Sequence, residues 1–392
     1  MKSEVFITDG HWRKSLAAVR ALGRQGIGVT VGESTRLATA AFSKYSDRTV
    51  VYPSPLMNAS DFLDFLQRHL SRNPYRMVLP MEYETLSLIA QNYDDFSRYA
   101  YIPVVSYEKL KIAQNKEKIL RLAESLGIPT PKTWYIDDIS RIHSLKGELS
   151  YPVVIKPRNA AGALGVCYPE TPEELEAQYL AVHRRFPYPM VQEFIPREGP
   201  GYGASFLFDE KGRVKASFVH KRLREYPVTG GASTLRESVI YDDIREMAQS
   251  LLQSLDWFGV AMVEFKVDPR DGLPKLMEIN PRFWGSLALA VEAGVNFPHL
   301  LYRMSHGEDF SPVERYTVGV KCRWLLPGDI LHFIYHPHRS SLIPDFFRFF
   351  DKNTSYDILS MDDPLPALAR VLTPITFLYD PDMKERLKKR KE

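Results

Sequence analysis

The segment GVAMVEFKVDPRDGLPKLMEIN, residues 259–280, constrains the fold more tightly than any other part of the chain. Two apolar-rich runs flank an Asp-Gly turn signal at 271–272, the pattern of a β-hairpin. A five-residue loop over 269–273 would pair Asp268 with Pro274, and counting back places Glu264 directly opposite Glu278. Like charges facing each other across a ladder are destabilising, and a cation between them reverses the sign. Asn280, two residues beyond Glu278, shares its face and adds a neutral oxygen. Two carboxylates and an amide form a hard-oxygen set suited to Mg²⁺ (or Mn²⁺), with water and phosphate oxygens completing the shell. Arg282, just past the strand, has the geometry to grip a phosphate through two hydrogen bonds. The competing reading places both acids on a solvent face, paired with Lys266 and Lys275.

Upstream, the pattern changes character once. Residues 4–8 (EVFIT), GVTVGES, YRMVLPME (75–82) and IPVVS (102–106) read as strands separated by helical segments such as KSLAAVRALGRQG. This alternation predicts an α/β domain with a parallel sheet over 1–105. No G-x-G-x-x-G occupies its first turn, so a dinucleotide site is unsupported. The TDGHWRKS turn (8–15) opens a helix, where an anion would be welcome. A single helix is expected over 107–127, followed by the proline-punctuated connector IPTPKTWYI. From about residue 150 hairpins dominate, with one helix in YDDIREMAQSLLQSLDW, and an antiparallel α+β domain is expected. The division reads 1–105, 106–190, 191–309 and a C-terminal extension, 310–392, of unassigned fold.

A magnesium–phosphate site needs positive charge and backbone donors facing it. YPVVIKPRNAAGALGV (151–166) supplies a candidate: Lys156 ends an apolar strand beside a loop of small residues containing Gly162 and Gly165, whose backbone can approach phosphate closely. A surface lysine beside an ordinary turn would look the same. No Gly-Lys dipeptide occurs anywhere, which excludes a P-loop. VQEFIP (191–196) reads as a strand ending in a hinge. Such a hinge can offer backbone groups to an adenine edge, with Glu193 taking the amino group and Glu198 placed for a ribose; a strand carrying a solvated acid is the plainer alternative.

The chain's global properties exclude several classes. With 392 residues, a net charge of +3 and 44% hydrophobic residues, nothing global argues for nucleic acid. Two cysteines, Cys167 and Cys322, suit a reducing compartment rather than a disulfide framework. No signal-peptide-like run and no uninterrupted apolar stretch of spanning length is present, so a cytoplasmic location is expected. PDFFRFF (344–350) and the basic run KERLKKRKE (384–392) together would suit an anionic membrane surface; a packed aromatic cluster and a solvated tail are the simpler reading.

The order of these signals resembles the ATP-grasp superfamily over roughly residues 1–305, most specifically in GVAMVEFKVDPRDGLPKLMEINPRFWGS. The resemblance implies a pre-ATP-grasp α/β domain followed by two antiparallel lobes that clasp ATP. It implies that Lys116 in AQNKEKIL, with Lys118 as the fallback, and Lys156 contact nucleotide phosphates. Glu193, Ile195 and Glu198 match the adenine and ribose positions; Glu264, Glu278 and Asn280 match the Mg²⁺ ligands; Arg282 matches the arginine beside the transferred phosphate. The glycine loop lacks the serines common in the family. Arg222, Arg224 and Arg236 lie where family members carry substrate-site residues, and the three would steady an acyl phosphate or a second carboxylate; a charged hairpin is the plainer alternative.

The chemistry so implied is activation of a carboxylate as an acyl phosphate, attack by an amine or similar nucleophile such as a thiol, and release of ADP and phosphate. Small-molecule carboxylates and amines are the expected partners, and a homodimer is compatible with this reading. Bicarbonate activation, as in biotin carboxylase or carbamoyl-phosphate synthase, and a non-catalytic Mg-ATP-binding protein are the alternatives.

Overall fold

A computed structural model describes residues 3–159, 164–228, 230–349, 351–379 and 383–384. The N-terminal region contains β1 (Val5–Ile7), α1 (Arg13–Gly23), β2 (Val29–Glu33), β3 (Arg48–Val51), α2 (Ala59–Arg72), β4 (Met77–Leu79), α3 (Tyr83–Gln91) and α4 (Tyr93–Ser97). Its sheet is parallel throughout, in the order β3-β2-β1-β4. Every residue of β1, β2 and β4 is buried, as expected of strands covered on both faces. The connections leave β1 toward β2 on one side and reach β4 on the other. The crevice beyond the carboxyl ends of β1 and β4 is therefore the topological switch point, where open α/β sheets bind ligands.

IPVVS, expected to be a strand, is not one. Only Tyr101 bridges to the sheet, opposite Met77, and Pro103 has no N–H with which to extend a ladder. The helix expected over 107–127 is broken as well. It forms α5 (Tyr107–Gln114) and α6 (Lys116–Ser125), because Asn115 turns to an extended conformation and caps α6, accepting from the Lys118 N–H at 2.9 Å.

Two lobes follow. The smaller has β5 (Thr133–Trp134), α7 (Arg141–Leu145), β6 (Val153–Lys156), α8 (Pro172–Arg185) and β7 (Met190–Glu193), with an antiparallel sheet ordered β5-β7-β6. Its own apolar core includes Ile142, Ile155, Leu175, Tyr179 and Val191. The larger lobe has β8 (Gly201–Phe208), β9 (Val214–Tyr226), β10 (Ala232–Ser238), α9 (Asp242–Ser254), β11 (Gly259–Val267), β12 (Pro274–Asn280), α10 (Leu287–Glu292) and α11 (Phe297–Ser305).

The C-terminal extension completes the larger sheet. β13 (Lys321–Arg323), α12 (Ile330–Tyr335), β14 (Thr354–Tyr356) and α13 (Leu365–Tyr379) follow in order, and the seven strands run β12-β11-β8-β9-β10-β13-β14. All neighbours are antiparallel except β13 and β14. Three-residue strands with no alternating pattern give periodicity nothing to detect.

Candidate active site

The β11–β12 hairpin sets the floor of the cleft between the lobes. Glu264 lies opposite Glu278, and Met262 opposite Asn280. The turn differs from expectation: Val267, not Asp268, pairs with Pro274. A bulge at Met277, between the Glu264–Glu278 and Phe265–Leu276 pairs, absorbs the one-residue shift and restores the two acids to the same level. On the adjacent strand, Gly203 pairs with both Glu264 and His220. A Cβ at Gly203 would lie 2.4 Å from the His220 ring and 2.9 Å from Met262 Sδ, so this position must be bare.

Cations converge on the two acids. Lys116 Nζ is 3.2 Å from Glu278 Oε2, and Arg222 Nη2 is 2.5 Å from Glu264 Oε2. Asn280 donates its amide to Glu264 at 2.9 Å. Burial pushes the Glu264 carboxyl up, with Glu278 adding to it and Arg222 opposing. Glu278 also feels burial, but Lys116, Arg222 and Lys156 hold it below its ordinary value. Lys156, at the end of β6, donates to Gln192 Oε1 at 2.8 Å, and Gln192 is itself held by Thr133. Burial and the nearby Lys116 lower the Lys156 ammonium to about 8.

The break at Asn115 explains how Lys116 arrives there. The Lys116 N–H donates to the Arg158 carbonyl at 2.8 Å, and Arg158 pairs with Glu117 at 2.7 Å, stapling the start of α6 to the strand-lysine segment. Lys118, the fallback, is exposed and offers only its backbone to the cap. Gly162 lies outside the described residues. Gly165 has φ +68° and packs where a Cβ would meet Phe186 at 2.7 Å, so glycine is required there on two counts.

At the hinge, Glu193 departs from its expected role. Its carboxylate accepts the Lys132 N–H at 2.8 Å and pairs with Arg270 at 2.9 Å and Lys275 at 3.2 Å. These cations sit on the β11–β12 hairpin and its turn, so Glu193 clamps the two lobes instead of awaiting an adenine amino group. Ile195 is buried and its carbonyl accepts from Lys266 at 3.3 Å; Glu198 is exposed on the turn into β8. Lys266 and Lys275 therefore do not neutralise Glu264 and Glu278, as the solvent-face reading required.

The three arginines separate. Arg222 reaches the acid pair. Arg224 instead pairs with Asp329 at 2.9 Å and Asp345 at 2.7 Å, and Arg236 with Asp357. All three of these aspartates belong to the C-terminal extension, whose packing captures both guanidinium groups.

Arg282 faces the N-terminal domain. Its Nη1 donates to the Phe283 carbonyl at 2.9 Å and its Nε lies 3.6 Å from Glu82. Lys14 joins them, 2.8 Å from Glu82 and 3.2 Å from the Phe283 carbonyl. Burial and Arg282 lower the Lys14 ammonium to about 8. Beside it Asp9, at φ 57°, accepts from Thr85, Met81 and Glu82, and burial with Glu33 nearby raises it to about 6. The switch-point crevice thus opens directly onto Arg282. Glu82 and Asp9 were not singled out by the sequence; an acid at the carboxyl end of each of the two strands flanking the switch point is the signal that marks them.

The donor set fits a divalent cation. Two half-buried carboxylates face each other with one amide beside them, and Mg²⁺ takes one or two carboxylates with waters and phosphates rather than a full protein cage. Among the described residues no cluster of three or more His, Cys, Asp or Glu side chains forms such a cage.

Comparisons with known proteins agree with this architecture. A sequence model described as "ATP-grasp in the biosynthetic pathway with Ter operon" matches residues 198–325. D-aspartate ligase of Enterococcus faecium is 28% identical over 227 residues, 53% of this chain and 53% of that protein. The chain thus spans about half the length of this relative. Among solved structures, biotin carboxylase from Campylobacter jejuni superposes with a TM-score of 0.66 at 15% identity, covering 81% of this chain and 74% of that one. L-amino acid ligase from Bacillus licheniformis gives 0.60 at 18% identity, covering 78% and 74%. The two structures share the fold. The matched region, residues 198–325, takes in the β11–β12 hairpin with its acid pair.

Proposed function

We propose that the protein is an ATP-dependent carboxylate–amine ligase that forms an acyl phosphate and releases ADP and phosphate. The observation that carries this reading is the meeting of Glu264, Glu278, Lys116 and Lys156 in one charged cluster, with Arg282, two residues beyond Asn280, facing Glu82 at the switch-point crevice. ATP and Mg²⁺ are features of the family; their use by this chain is part of the proposal, as is a cytoplasmic location, which its two free thiols suit.

In this reading Lys116 and Lys156 hold the phosphate chain, and Arg282 offsets charge that develops as a phosphoryl group reaches a carboxylate. Glu264, Glu278 and the Asn280 oxygen would hold Mg²⁺, which when bound supplies charge neutralisation between phosphates. Binding there would draw Lys116 and Arg222 away from the acids and free them for anions. Lys14 and Arg282 provide positive charge for a substrate carboxylate, while Glu82 provides negative charge for an amine. Similarity to D-aspartate ligase and L-amino acid ligase supports an amino acid as one substrate.

Phosphorus NMR of Mg-ATP with pools of amino acids, amines and small carboxylic acids tests the reading. ADP and phosphate formed only when a carboxylate is present is the expected result. AMP and pyrophosphate, or turnover unchanged by Glu278→Ala, would overturn it.

A further inference from the structure

The helix α13 is amphipathic in the reverse sense. A surface helix ordinarily hides its apolar stripe and exposes its polar face. In α13 the exposed positions include Leu365, Leu368, Val371, Leu372, Ile375 and Leu378, with 39–76% of each residue accessible. The face packed on the protein carries Ala369, Thr373 and Thr376, whose hydroxyls are satisfied by helix carbonyls. The helix has one charged residue, Arg370, and it turns inward to His11 Nε2 at 2.9 Å. An exposed apolar surface of this kind marks a contact with something outside the molecule.

Two observations say what covers it. First, the sequence beyond contains Lys384, Arg386, Lys388, Lys389, Arg390 and Lys391 against Asp380, Asp382, Glu385 and Glu392, and the basic residues concentrate in 384–391. An apolar helix face beside a basic run is the composition of an interfacial anchor for anionic lipid. Second, the side chains described as exposed on this face are all aliphatic, whereas protein interfaces carry about one hydrogen bond per 100–200 Å². A twofold contact through α13 would also bring two basic runs together. The same extension exposes Tyr335 and Phe347. At 15 residues α13 spans roughly 22 Å, short of the bilayer core, and no helix among the described residues is long and apolar enough to cross a membrane.

We propose that α13 docks the protein peripherally on an anionic phospholipid surface, lying in the interface with its leucine face in the acyl boundary. The proposal does not depend on the ligase reading. The test is co-sedimentation of the full chain with vesicles of phosphatidylcholine alone and of an equal mixture with phosphatidylserine. The protein is expected to pellet with the mixed vesicles and to stay in solution with phosphatidylcholine. Leu368→Glu with Leu372→Glu should abolish pelleting, as should Lys388→Glu with Lys389→Glu, while circular dichroism and the unfolding midpoint stay as in the parent. Failure to pellet with mixed vesicles, pelleting that ignores phosphatidylserine, or pelleting retained by the leucine variant would each overturn it. So would a solution dimer, without lipid binding, that the leucine variant converts to monomer in sedimentation velocity.

Discussion

Carboxylates and arginines meet at both edges of the seven-stranded sheet, with opposite outcomes. At one edge Glu264 and Glu278 retain 15% and 29% side-chain exposure and share Lys116 and Arg222. At the other, Asp329 and Asp357 are sealed: Asp329 takes Arg224, Arg323 and the Thr234 hydroxyl, and Asp357 takes Arg236, with Arg13 at 3.6 Å. The first cluster leaves two like charges facing each other across a ladder, offset by cations that, like the acids, keep some exposure to solvent. The second is sealed from solvent, a fastening for the C-terminal extension. Composition alone does not separate a candidate site from a fastening; exposure does.

The comparison can be broken by substituting one member of each cluster. Glu278→Gln should eliminate Mg-dependent ADP formation while leaving the denaturation midpoint within about 1 kcal/mol of the parent, because the acid's partners are shared and partly solvated. Arg236→Met should do the reverse. Leaving the buried Asp357 with only the more distant Arg13 as a cation should cost up to roughly 3–5 kcal/mol in urea unfolding, and the fraction that remains folded should turn over normally. If Arg236→Met lowered turnover in folded protein with little loss of stability, the two clusters would share a function.

Smaller effects sharpen the picture. Lys156→Ala should lower kcat by about 10²-fold, the scale of losing one positioned donor to a developing anion. Asn115→Ala should destabilise by about 1 kcal/mol through loss of the α6 cap, and raise KM for ATP with little change in kcat as Lys116 loses its anchorage. Because burial lowers Lys156 to about 8, its charge is present below that pH and lost above it. The kcat/KM for Mg-ATP should therefore fall as pH rises through about 8, and Lys156→Arg should remove that limb.

Much of the site was legible, though not always for the stated reason. Glu264 does face Glu278, but the loop runs over 268–273 and not 269–273, and the bulge at Met277 compensates for the extra residue. A sheet's period of two makes such a slip fatal unless a bulge intervenes, and bulges leave little trace in apolar patterning. The break at Asn115 was readable in principle, since Asn followed by Lys-Glu is ordinary cap chemistry, yet the helical period on both sides concealed it. Gly201 and Gly203 are the local trace of the bare strand face beside the acids, legible only once that strand is known to lie next to them.

The fates of Arg224 and Arg236 were not legible. Their partners lie 105 and 121 residues away in a region with no periodic pattern, so nothing local distinguishes them from Arg222. Spacing along the chain determined most of the longer elements before residue 310, that two glutamates share one face of a hairpin, and that Lys156 ends a buried strand. Those are local properties, set by side-chain period and turn chemistry within about twenty residues. Tertiary structure alone decided which cations neutralise which acids, that Glu193 clamps the lobes, that β13 and β14 complete the sheet, and that α13 turns its leucines outward. Charge pairing and burial depend on distance in space, and the chain reports only distance along itself.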